Sequence, residues 1–80
     1  MSIMHNPPHP GEFIKETYLT PFNLSQNEIA DRLDVARSTF NRLIRGDSGV
    51  SSEMAYRLSR VIGRSPESWL LMQAQYDLHH

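Results

Sequence analysis

QNEIADRLDVARSTFNRLIRG, residues Gln26 to Gly46, carries two apolar stripes at helical spacing, separated by a few residues that continue neither. Ser25 precedes the first stripe, and with Glu28 it forms a capping box, each side chain satisfying an amide left free at the helix start. A helix therefore begins at Gln26. Ile29, Ala30 and Leu33 line one face of it, and Asp34 with β-branched Val35 breaks the pattern after about two turns. The next helix begins near Arg37, turns Phe40, Leu43 and Ile44 inward, and stops at Gly46.

Two short helices joined by a turn of three or four residues have the spacing of a helix-turn-helix, whose second helix lies in the major groove with its first residues at base edges. On the second helix, positions one, two, five and six share the face opposite Phe40, Leu43 and Ile44. Arg37, Ser38, Asn41 and Arg42 are therefore the candidate base-reading residues, since arginine clamps guanine bidentately and asparagine clamps adenine. Gln26, Thr39 and Arg45 lie at the edges of that surface and are candidate phosphate contacts, which set register without reading sequence.

The same signals extend outward in both directions. Pro7, Pro8 and Pro10 keep residues 1–9 extended, as an N-terminal arm, and Pro10 suits the first turn of a helix. From about Gly11 to Leu19, Phe13, Ile14, Thr17 and Tyr18 repeat at three and four residue steps, and Pro21 ends the run. After the turn residues Asp47, Ser48 and Gly49, Ser51 or Ser52 caps a fourth helix with Met54, Ala55, Leu58, Val61 and Ile62 on one side, stopped by Gly63. Ser65, Pro66 and Glu67 open a fifth helix, expected over about 66–76. The expectation is an all-α, five-helix domain over residues 10–78, with a core that includes Phe13, Phe40, Val50 and Val61.

Trp69, Leu70, Met72 and Tyr76, with Leu71, Ala74 and Leu78, make the fifth helix apolar nearly all round, more than one small core covers. A homodimer is the natural sink, with Trp69, Leu70, Met72 and Tyr76 as its candidate contacts.

Charge is divided along the chain. The net charge is −1, but residues 1–35 set Lys15 and Arg32 against five carboxylates. Residues 36–80 set six arginines against four, and Arg37, Arg42 and Arg45 fall within nine residues. Cations gathered on one element are what phosphate binding needs, whatever the total. Without cysteine there is no disulfide, thiol nucleophile or cysteine-bound metal. His5 and His9 stand four apart, but in a proline-broken arm that places no two ligands on one helical face, so no metal or other cofactor is expected. His79 and His80 carry no assignment. The serines sit at helix caps and the carboxylates are unpaired in any apolar setting, which speaks against an enzyme. Met1 to Pro10 has neither a basic start nor an apolar run, and no stretch approaches a bilayer's thickness, so the expected setting is the cytoplasm.

Gln26 to Gly46 resembles the helix-turn-helix of the phage-repressor-like XRE family, with Ala30 at the close helix contact and Val35 in the turn. It departs at Asp34, where that family usually has glycine; aspartate tolerates left-handed backbone. Over a wider window NPPHPGEFIKETYL, RSTFNRLIRGDSGVSSEMAYRLSRVIG and SPESWLLMQAQYDL are similar to the HigA-type antitoxins of type II toxin-antitoxin modules. The resemblance implies a homodimer that binds operator double-stranded DNA, represses its own operon and neutralises a HigB-like, messenger-RNA-cleaving toxin. The acidic front would complement a basic toxin surface. Two other readings stay open on sequence alone: a stand-alone regulator without a toxin, and a protein-binding module that has lost DNA affinity.

Overall fold

The computed structural model describes residues 6–80, which form five helices. Helix α1 runs from Pro10 to Ile14 and continues as a π-helical turn over Lys15–Leu19; α2 spans Gln26–Leu33, α3 Arg37–Arg45, α4 Ser52–Val61 and α5 Pro66–His79. Among the described residues no helix is long and apolar enough to cross a membrane.

Caps set the helix starts. The Ser25, Ser51 and Ser65 hydroxyls accept from the amides of Glu28, Met54 and Ser68, three residues on in each case. Ser51, not Ser52, caps α4. Helices α2 and α3 end alike. Asp34 (φ 60°) and Gly46 (φ 84°) are left-handed, and the amides of Val35 and Asp47 reach back to the carbonyls of Ala30 and Arg42.

Helix α1 departs from its expected periodicity. Thr20 and Leu24 donate to the carbonyls of Lys15 and Leu19, five residues back, so each wide turn takes one residue more than an α-helical one. Residues five apart then stack along one face. Ile14 and Leu19 are buried there, Thr17 is exposed, and Phe13 and Tyr18 are half-buried. Helix α5 continues three residues beyond Tyr76.

The core gathers Ile14, Leu33, Phe40, Leu43, Leu58 and Trp69, each almost entirely out of solvent, with Ala30 and Ala55 closing the approaches of α2 and α4. Each large side chain contributes about 1.5–3 kcal/mol of burial. Phe13 and Val61, expected in the core, pack against its edge. Backbone contact between α1 and α3 is close at one point, where a methyl on Gly11 would lie 1.8 Å from the Leu43 carbonyl oxygen. No side chain fits there, so this glycine fixes how α1 crosses α3.

Residues 1–5 of the expected arm lie outside the described residues. Residues 6–9 are not free: Pro7 and His9 are buried. The His9 ring caps α1, its Nδ1 accepting from the Gly11 amide at 2.9 Å, and stands edge-on to Tyr76 of α5 at 4.8 Å. Burial pushes His9 below its ordinary value of 6.5, more than a Ser48 backbone hydrogen bond and the Asp77 and Glu12 carboxylates pull it up. Neutral His9 is the form that fits, because a protonated Nδ1 has no lone pair for Gly11. Its contribution is therefore complete above the unfolded value and is lost as pH falls below about 6.5 towards the folded one. The melting temperature is expected to drop on acidification from pH 7.5 to 5.5, with a shallower drop in His9→Asn, which keeps a capping acceptor; equal slopes would refute the assignment.

Candidate nucleic-acid interface

The interface begins with the turn. Asp34 reverses the chain between α2 and α3, and Arg57 of α4 holds it: Nη1 donates to the carbonyls of Leu33 at 2.8 Å and Asp34 at 3.2 Å. The same guanidinium is steadied by Glu53, 2.8 Å from Nη2. Three helices thereby fix the angle at which α3 is presented.

Phe40, Leu43 and Ile44 are buried, which turns the opposite face of α3 outward. Arg37, Ser38, Arg42 and Arg45 are exposed on it, with Thr39 and Asn41 half-buried at its margins. Ala36, the N-cap, has no side-chain hydrogen bond to offer, so the first amides of α3 meet solvent. Cations, an amide, a hydroxyl and unclaimed N–H groups on one convex helix are the donors that base edges and phosphates accept.

These groups are already interconnected. Gln26, at the start of α2, donates its side-chain amide to Asn41 Oδ1, joining a candidate phosphate contact to a candidate base reader. Arg37 is gripped side-on by Asp31 of α2, Nε to Oδ1 at 3.1 Å and Nη2 to Oδ2 at 2.8 Å. That hydrogen bond with Arg37 holds the Asp31 carboxyl below the usual carboxylate range and raises Arg37 in turn. Arg45 pairs with Asp47 at 3.2 Å, and Arg42 makes no ion pair among the described residues.

Of the seven candidate DNA contacts, Arg37, Ser38, Arg42 and Arg45 are exposed, Thr39 and Asn41 are half-buried, and Gln26 is joined to Asn41 by their side-chain amides. The α5 set is different, and Trp69 is corrected. Its ring is fully buried within one chain, and its Nε1 donates to the Gly63 carbonyl at 2.9 Å, so it supports the core and offers nothing to a second subunit. Met72 is half-buried against the core, and Tyr76 lies between His9 and the stacked ring of His80. Leu70, Leu71 and Leu78 are the large apolar side chains that α5 leaves in solvent.

Asp31, Arg57 and His9 are the working residues that sequence reasoning did not assign. Glu53 four residues before Arg57 signals a helical ion pair. Neither partner of Asp31 nor the buried ring of His9 has a local signal, because each contact crosses a turn or joins two helices.

Residues 14–69 match the helix-turn-helix family HTH_3. Virulence-associated protein I of Dichelobacter nodosus is 43% identical over 70 residues, which is 88% of this chain and 65% of that protein. The chain spans about two thirds of the length of such curated relatives. A Pseudomonas aeruginosa protein, PA4674, crystallised with its operator DNA, superposes with a TM-score of 0.88 at 34% identity, over 95% of this chain and 80% of that one. The antitoxin HigA of Pseudomonas aeruginosa, crystallised with the higBA promoter, gives 0.85 at 36% identity, over 90% and 78%. Other relatives are described as HTH-type transcriptional regulators or antitoxins.

Proposed function

The chain belongs to the HTH_3 helix-turn-helix family, and from that premise we propose that it is a sequence-specific DNA-binding regulator and a HigA-like antitoxin. The observation that carries this reading is the outer face of α3, where Arg37, Ser38, Asn41 and Arg42 stand together at the end of the helix that the turn presents. Likeness to two proteins crystallised with operator or promoter DNA supports it.

In this reading Arg37, Ser38, Asn41 and Arg42 meet base edges, while Gln26, Thr39 and Arg45 meet phosphates. Two chains pair through the outer side of α5, with Leu70, Met72 and Tyr76 at or beside the contact and Leu71 exposed next to them. Their recognition helices then enter successive major grooves about 34 Å apart on a pseudo-palindromic operator. The protein works in the cytoplasm, represses its own operon and neutralises a HigB-like toxin, whose RNA-gripping, basic surface suits the acidic residues 1–35.

A fluorescence anisotropy titration against the protein's own promoter fragment tests the DNA half. With about two arginine–phosphate neutralisations per dimer, one Arg45 from each chain, affinity is expected to fall roughly tenfold between about 50 and 200 mM salt. Binding should survive an excess of unrelated duplex. Absence of binding at low salt would leave a protein-binding module as the reading.

A further inference from the structure

Asp31 holds Arg37 by one edge only. An arginine has five N–H donors in a rigid fork. The side-on grip uses Nε–H and one hydrogen of Nη2, and leaves both hydrogens of Nη1 and the outer one of Nη2 pointing away from the carboxylate. That remaining end-on edge is the pair of parallel donors which matches O6 and N7 of guanine. Arg37 is the first residue of α3, and it is the first residues of a recognition helix that stand at base edges.

The ion pair has little to do for the fold. Its side chains are 58% and 54% exposed, and an exposed pair of this kind contributes almost nothing to stability. Its effect is on the arginine. Unheld, Arg37 has several rotatable bonds and the nearest phosphate as an alternative partner, a contact that adds affinity without information. The carboxylate repels phosphates and fixes the plane of the guanidinium, so both alternatives are disfavoured before DNA arrives.

We propose that Asp31 is a specificity-determining positioning residue, which buttresses Arg37 so that its free edge reads one guanine in each half-site. The inference rests on the reading of α3 as the recognition helix and adds a residue of α2, and a named base, to it.

Selection from a random-sequence duplex library with wild type, Asp31→Ala and Arg37→Ala separates the two claims. Wild type is expected to enrich a two-fold symmetric site with guanine at a position that Arg37→Ala no longer requires. In Asp31→Ala the preference for guanine over the other bases should fall on the order of tenfold at that position and no other. Titration with an unrelated duplex should at the same time show tighter binding, because a negative charge has left the surface. Asp31→Asn, which keeps one acceptor for Nε, should fall between. Thermal melts close to the wild-type midpoint establish that the variants are folded; were Asp31→Ala not folded, Asp31→Asn carries the comparison. Undiminished guanine preference in the Asp31 variants, or a loss spread evenly over all positions, would overturn the buttress while leaving the DNA-binding reading intact. A wild type that enriches no site would overturn both.

Discussion

Replacing Arg37 and Asn41 together by alanine is expected to weaken operator binding by roughly a hundredfold or more and to leave the fold nearly unchanged. Each bidentate base contact carries about 1–3 kcal/mol of discrimination, and a symmetric dimer loses it in both half-sites. Little is given up in the folded state. The Arg37–Asp31 pair is exposed and screened by solvent, and the part-buried Gln26–Asn41 hydrogen bond is worth about 1 kcal/mol. Alanine is the best helix former, which offsets part of that loss. Affinity for an unrelated duplex should change far less than affinity for the operator, because Gln26, Thr39 and Arg45 remain to meet phosphates. Anisotropy titrations at one fixed salt, with circular dichroism melts of both proteins, decide the matter. Wild-type operator affinity would remove these two residues from the interface, and a melting point lower by more than about ten degrees would show that they belong to the fold.

The features legible in the sequence are those whose physics is local. A capping serine and its amide lie three residues apart, apolar stripes repeat within a turn, and Gly46 ends α3 where left-handed backbone is required. Five helices and the outward face of α3 follow from such signals, and so does Asp34 in the place of a glycine, with φ of 60°. The π-helical turn at the end of α1 does not, since every residue in KETYL is compatible with an ordinary helix and only the fit of Leu19 into the core selects the wider one. The same limit explains Asp31 and Arg57, whose partners lie across a turn or on another helix. It also explains His9, which reads as part of a loose arm until Tyr76 and Gly11 are placed against it.

Charge shows how the two levels meet. A total of −1 counts against a DNA binder only if all charges are equivalent. They are not, because two of the three α3 arginines already have carboxylate partners, Asp31 and Asp47, on the same surface. Such pairing restrains indiscriminate attraction to phosphate while the donors facing away from each carboxylate remain available. Low net charge and a cationic recognition helix are then two sides of one design for selectivity.

Trp69→Ala is expected to cost about 3–5 kcal/mol of folding stability, the range for deleting a buried aromatic ring. Apolar residues fall nearly all round helix α5, so its sequence has no periodicity to say which residue points inward; the structure chooses Trp69, fully buried, with Phe13 edge-on at 6.0 Å and the Arg64 guanidinium 5.6 Å above the ring. Its N–H also secures the α4–α5 turn, where Gly63 (φ 125°) and Arg64 (φ 68°) both have positive φ and the Gly63 carbonyl accepts from it. Truncation therefore opens a cavity and leaves that carbonyl without its partner. A chain of this length has about 4–12 kcal/mol in all, so the melting temperature should fall by roughly 15–30 °C. Trp69→Phe, which fills most of the volume but has no N–H, should lose only a fraction of that. A distinct variant, Leu71→Lys on the exposed side of α5, should weaken self-association in sedimentation equilibrium without moving the monomer's intrinsic stability. If Trp69→Ala instead melted within a few degrees of wild type and sedimented as a monomer, the ring would belong to the subunit contact and not to the core.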